Sequence, residues 1–153
     1  MDAARRTAAI TRAATRLACA LDWAPLAEVT LAGGRRADIL ALRPDGGVVI
    51  VEVKSGPRDY LGDAKWRDYG AWCDAFFFAV DLDFPQALLP EGPGLIVTDG
   101  HEAAILRAAP EHPLAPARRR ALVLRCARLA ARRLALAQDP AGAEALRGAG
   151  RLD

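Results

Sequence analysis

Histidine, cysteine and methionine are scarce in this chain of 153 residues, with two, three and one of each, and each shortage closes off a class of chemistry. His101 and His112 fall in turn or loop settings, and neither has a second His or Cys at ligand spacing. They read as surface residues rather than as metal ligands or acid-base groups. Cys19, Cys73 and Cys126 are odd in number and far apart, which matches neither a disulfide framework nor zinc-ligand spacing. A reducing compartment, the cytoplasm, is the expected setting. No apolar run is long enough to span a membrane. Behind Arg5 and Arg6, the positions Arg12 and Arg16 interrupt the apolar stretch that a signal peptide needs. Net charge is only +2, which by itself predicts no polyanionic partner. Internal repeats are absent, and Gly33-Gly34 and Gly46-Gly47 read as turns because neither opens a helix.

Against these shortages, 52% of the residues are hydrophobic, enough for one substantial core and too little chain for a second. The expected organisation is a single α/β domain over 1–138, followed by an Ala/Gly-rich, flexible tail over 139–153. Periodicity and punctuation place a helix at 3–22, ended by Trp23-Ala24-Pro25, and strands at 27–32, 36–42 and 47–54. A helix from Asp59 to about Cys73 follows, then a buried strand, Phe76 to Val80, and a Pro-rich loop to Pro93. Leu95–Thr98 and Ala103–Arg107 form a late hairpin through Asp99-Gly100, and a final helix spans Pro116 to Gln138.

The chemistry-bearing residues lie on the second and third strands. In Val48 to Lys54, alternate side chains point to opposite faces, so Ile50, Glu52 and Lys54 share one side. The run is apolar nearly throughout, which argues for a central strand covered on both faces. Pro44-Asp45-Gly46-Gly47 supplies the turn of an antiparallel hairpin, and that pairing brings Asp38 near Glu52. Hard cations such as Mg²⁺ take one or two carboxylates, waters and substrate phosphate. Asp38, Glu52 and the carbonyl of Val53 meet that need, with Lys54 beside them to orient water or steady charge building on phosphorus oxygens. The same residues also allow a cross-strand ion pair, with Asp38 or Glu52 neutralising Lys54 or Arg36 and no metal.

On the helix after Ser55-Gly56-Pro57, Lys65 and Tyr69 are four residues apart on one face, and Asp63 and Trp66 three apart on a neighbouring one. Trp66 and Trp72 are best placed to pack on the sheet. The pattern Gly34-Arg35-Arg36-Ala37-Asp38, Glu52-Val53-Lys54-Ser55-Gly56, Asp59, Asp63-x-Lys65-Trp66-x-x-Tyr69, Cys73-Asp74, Phe78-Ala79-Val80 and Gly94-Leu95-Ile96-Val97 resembles the MmcB-like bacterial DNA-repair proteins of the PD-(D/E)xK nuclease superfamily. The resemblance covers roughly residues 5 to 137.

That resemblance implies a restriction-endonuclease-like core (helix, three strands, helix, strand), here with an added late hairpin and a C-terminal helix, and a role in DNA repair or damage tolerance. It puts the motif acids on Asp38 and Glu52, the motif lysine on Lys54, and Mg²⁺ or Mn²⁺ between the acids. Lys65 and Tyr69 look like the place of a Gln-x-x-x-Tyr helix motif, with Lys in the first position. Glu28 is similar to an acid that some superfamily members bring to the site, and reads equally as an exposed strand residue. Arg118, Arg125, Arg128 and Arg132 share one stripe of the last helix. Such a stripe is either a solvated face or, with Arg36, a phosphate-contacting rim. The expected function is metal-dependent processing of DNA phosphodiesters near the nucleoid. The alternatives are a weakly active or inactive nuclease-fold module that binds DNA or translesion-synthesis and repair proteins, and an adaptor without DNA affinity.

Overall fold

Strand β3 (Val48–Val53) is Val, Ile and one Glu, buried at all six positions, and such a strand folds only as the middle of something. A computed structural model of the chain, describing residues 1–61 and 66–150, places it third in a six-stranded sheet of order β1-β2-β3-β4-β5-β6. The others are β1 (Ala24–Thr30), β2 (Arg36–Leu42), β4 (Ala75–Asp81), β5 (Gly94–Thr98) and β6 (Ala103–Arg107). β3, β4 and β5 run parallel, while β1–β2, β2–β3 and β5–β6 pair antiparallel. The tight turn between β2 and β3 works as the sequence predicts. Gly46 takes a positive φ of 86°, which a side chain would resist, and Gly47 N–H donates to Asp45 Oδ1 at 2.8 Å.

Helix α1 (Ala3–Ala20) starts at Asp2, whose carboxylate accepts from Arg5 N–H at 2.8 Å, a standard N-cap. Its small-residue stripe, Ile10, Ala13, Ala14 and Ala18, is buried. Ile10 and Ala14 pack with Ile39, Ala41, Val49, Val51, Phe77 and Ala79 on one sheet face. The opposite face carries a second cluster, Phe78, Val80, Phe84, Leu89, Leu95 and Val97, with Tyr60 and Trp66 packed against it. The helix, three strands, helix, strand order and the late hairpin are as expected. The connection from β3 to β4 is not the single helix expected from Asp59 to Cys73. It consists of α2 (Pro57–Leu61), residues 62–65 outside the described set, and a 3-10 helix, Trp66–Trp72.

The chain divides into two compact units, Met1–Arg119 and Arg120–Asp153, whereas the sequence suggested one domain over 1–138. Helix α3 (Pro116–Gln138) begins in the first unit and continues into the second. Within the stretch expected as a flexible tail, Pro140–Gly148 forms helix α4, with Pro at its start and Asp139 as N-cap accepting from Gly142 N–H at 3.1 Å. No described helix is long and apolar enough to cross a membrane.

Candidate acidic site and its surroundings

The register of the central hairpin sets the site. Ile39 faces Val51 and Leu40 faces Ile50, so one residue further Asp38 stands across from Glu52. Both side chains leave the sheet on the same face as Phe76 and Phe78 of β4, which pair with Ile50 and Glu52. Asp38 Oδ2 accepts the Val53 N–H at 2.8 Å, so Val53 enters the site through its amide.

Glu52 is 7% exposed, and its Oε2 has no hydrogen-bond partner among the described residues. An ionised carboxylate left so is costly. Burial, then the charge of Asp38, push the Glu52 carboxyl from its ordinary 4.5 up to about 9, with Lys54 pulling the other way. Tyr69 stands over the pair. Its hydroxyl donates to the Arg36 carbonyl at 2.9 Å and lies beside the Glu52 carboxyl. Burial, then the charge of Glu52, hold the phenol well above its ordinary value.

An open cleft of about 700 Å³ borders the acids, lined by Asp38, Glu52, Tyr69, Trp72, Arg35 and Arg36 among others. Arg35 Nε donates to Asp68 Oδ2 at 3.2 Å and lies 6.0 Å from the centre of the Tyr69 ring. Arg36 approaches Glu28 at 3.9 Å. Glu28 is an exposed residue of edge strand β1, between Ala27 and Val29, which pair with Ile39 and Ala37, and its φ is +51°.

Lys54 lies two residues beyond Glu52, but the residue is 2% exposed and its ammonium lies 3.6 Å from Asp59 Oδ1. The Asp59 carboxylate also accepts the Ser55 N–H at 3.3 Å. Asp63 and Lys65 fall outside the described residues. Of the aromatic pair, Trp66 does pack on the sheet, stacked on Phe76 with ring centres 5.9 Å apart. Trp72 turns instead to the cleft. It meets Gly33 of the β1–β2 turn, where an added Cβ would come within 3.2 Å of the indole, and carries the Arg118 guanidinium 4.1 Å from its ring centre. Arg118 also donates to the Ala71 carbonyl at 2.7 Å. Arg125, Arg128 and Arg132 are exposed on the part of α3 in the second unit.

Sequence reasoning did not find Arg35, Asp68 or the Asp59 partner of Lys54. A signal for Asp59 existed, since Ser55-Gly56-Pro57 turns the chain back and returns the next acid toward Lys54.

No cluster of three or more His, Cys, Asp or Glu at metal-holding distance occurs among the described residues. Two opposed carboxylates, one with an orphaned oxygen, do fit a hard cation that keeps most of its water. They do not fit zinc, whose structural sites want four protein ligands.

Fold and site thus define a mixed α/β protein with an acid pair sunk at the open end of a central hairpin, under an aromatic and arginine rim. A family model described as DNA repair protein MmcB-like matches residues 2–141, and the chain belongs to that family. A solved protein of unknown function from Silicibacter pomeroyi is 42% identical, with a TM-score of 0.87 over 90% of this chain and 94% of that one. No curated protein matches the sequence.

Proposed function

We propose that this chain is a DNA-repair nuclease of the PD-(D/E)xK superfamily with a restriction-endonuclease-like core, hydrolysing DNA phosphodiesters with Mg²⁺ or Mn²⁺ held between Asp38 and Glu52. The observation carrying this reading is the buried Glu52 Oε2, without a partner among the described residues and opposite a second carboxylate in an open cleft. Two carboxylates so placed ionise together only when a cation joins them, and without one Glu52 keeps its proton.

When bound, the cation supplies a Lewis acid for a phosphodiester oxygen. The remaining work falls to the chain. Val53 N–H fixes Asp38, and the Tyr69 phenol, tied to the Arg36 carbonyl, lies beside Glu52 on the other side. Arg35 and Arg36 at the cleft draw in the phosphate backbone. Lys54 favours the ionised form of Glu52 and, two residues along, steadies charge that builds on the phosphorus oxygens.

A second reading has its own observation. Lys54 is sealed and paired with Asp59, as suits a nuclease fold kept as a module that binds DNA or repair partners. One assay separates the two: purified protein on labelled single-stranded, duplex and branched DNA, with Mg²⁺, Mn²⁺ or chelator. Metal-dependent cleavage of any substrate supports the nuclease, and binding without cleavage on all of them supports the module.

A further inference from the structure

A second concavity, of about 250 Å³, lies behind the 3-10 helix, walled by Trp66, Phe76, Cys73, Pro93 and Pro110 with His112 at its edge. We propose that it receives a single unstacked nucleobase of the DNA strand whose phosphate occupies the acidic cleft. This rests on the DNA reading above and extends it to the form of the substrate, which must offer a base out of its stack.

Four observations lead there. The first is continuity. One 3-10 helix, Trp66–Trp72, lines both concavities, giving Asp68, Tyr69 and Trp72 to the acidic cleft and Trp66, Arg67 and Gly70 to this one. The second is a column of rings. Phe76 is stacked between Trp66 and Tyr69, with centres 5.9 and 5.7 Å away and planes tilted 22° and 13°. The rings run from the cavity wall to the phenol beside Glu52, and a base entering the cavity would join them at Trp66 and Phe76, beside the Arg67 guanidinium that lies over Trp66. Base-on-aromatic stacking tolerates every sequence, because every base has a π face.

The third is charge. The Arg67 guanidinium rests 5.4 Å from the centre of the Trp66 ring. A cation at that spot serves both a base face and the phosphate attached to it. The fourth is size and shape. The volume falls short of the roughly 300–1,000 Å³ usual for drug-sized ligands and suits one planar heterocycle. Its glycines keep it open: at Gly70 and Gly92 neither backbone nor packing demands glycine, since φ is not positive and an added Cβ would meet nothing within 4 Å.

Those glycines supply the test. A short single-stranded DNA and the same sugar-phosphate strand without bases are titrated with the protein in chelator, so that catalysis plays no part. The parent should prefer the strand with bases, and Gly70→Leu, Gly92→Leu and Trp66→Ala should each reduce that preference by about 5- to 150-fold, the range of one lost stacking partner. Circular dichroism of the two glycine variants checks that they fold, as the open space predicts. Equal affinity of the parent for both strands overturns the pocket and leaves the nuclease reading standing. So does an intact preference in a folded Gly70→Leu and Gly92→Leu pair. A parent that binds neither strand also overturns the pocket, and the metal-dependent cleavage assay above decides the nuclease reading on its own. A base preference that the variants lose, in a protein that never cleaves, upholds the pocket while the catalytic reading falls.

Discussion

Asp38 and Glu52 face each other across the β2–β3 ladder, one bound to the Val53 amide and the other buried with Oε2 lacking a partner among the described residues. Their opposition follows from a turn of fixed length and a register one residue beyond Ile39–Val51, and it makes the metal-free protein pay in protonation.

The first prediction concerns that proton. Glu52 in the fold titrates at about 9 against an ordinary 4.5. A raised carboxyl stabilises the metal-free fold fully below its unfolded value and loses this contribution as pH climbs from 4.5 to 9. A cation must displace the proton, so Mg²⁺ or Mn²⁺ binding should release up to about one proton per site between these limits, and affinity should rise with pH there. Calorimetry in two buffers of different ionisation enthalpy reads the released proton directly. Asp38→Asn should abolish the rise in Tm that metal causes, by mass action on the native state, while leaving the metal-free protein at least as stable as the parent. Metal binding by Asp38→Asn equal to that of the parent would remove Asp38 from the site.

A second prediction tests what holds the floor of the first unit. Asp74 is buried and accepts from Val48 N–H at 2.7 Å, Leu114 N–H at 2.8 Å and Arg119 Nη2 at 2.7 Å. The Arg119 hydrogen bond first, and the two backbone donors after it, hold the Asp74 carboxyl well below the usual carboxylate range. A depressed carboxyl gives stability that is present above its unfolded value and is lost as pH falls below it. Asp74→Ala should cost about 2–4 kcal/mol at neutral pH, since it strands two amides and takes the carboxylate partner from a guanidinium. The gap from the parent should narrow below about pH 4. Urea melts of both proteins at pH 7 and pH 3 decide it, and a gap that does not change with pH would show that Asp74 is not the charged anchor.

Much of this was legible from local pattern. Alternation plus Pro44-Asp45-Gly46-Gly47 fixes β2, β3 and their facing acids, because turn length sets register and register sets which side chains meet. The 3-10 helix was not legible. Trp66, Tyr69 and Trp72 at intervals of three suit an α-helix and a 3-10 helix equally, and the seating of Phe76 between Trp66 and Tyr69 belongs to a strand that follows later in the chain. Arg118 on Trp72 and Lys54 with Asp59 depend on loop geometry that periodicity does not carry. Helix α4 was legible and passed over: Asp139-Pro140 is an N-cap followed by proline at the first helical position, and the Ala/Gly content behind it hid the signal.

The arginine stripe makes a third prediction. If Arg125, Arg128 and Arg132 follow a phosphate backbone, neutralising all three should weaken binding alike for every sequence. It should also flatten the salt dependence by about three units of slope or less. Affinity measured across a salt series, for parent and triple variant, gives both slopes. Identical slopes return the stripe to a solvated face.

The last prediction turns on Lys54, because its pairing with Asp59 is the feature on which the nuclease and module readings part. If Lys54 steadies charge at the phosphorus, Lys54→Ala should keep most of the metal and DNA affinity and lower the single-turnover rate by about 10² to 10³-fold, the loss of one preorganised charge donor. Asp59→Asn then becomes informative. It removes the carboxylate charge 3.6 Å from the ammonium, so in the catalytic reading the rate should hold or rise, whereas in the module reading the pair is a fold element and both substitutions should lower Tm with no rate to change. Asp59 is itself partly exposed, so its carboxylate stays hydrated when Lys54 is removed and the Lys54→Ala fold should survive. Single-turnover cleavage at saturating protein, measured for parent, Lys54→Ala and Asp59→Asn beside their melting curves, gives the answer: equal rates in parent and Lys54→Ala would take Lys54 out of the chemistry and leave it as the ion-pair partner that anchors α2 to the end of β3.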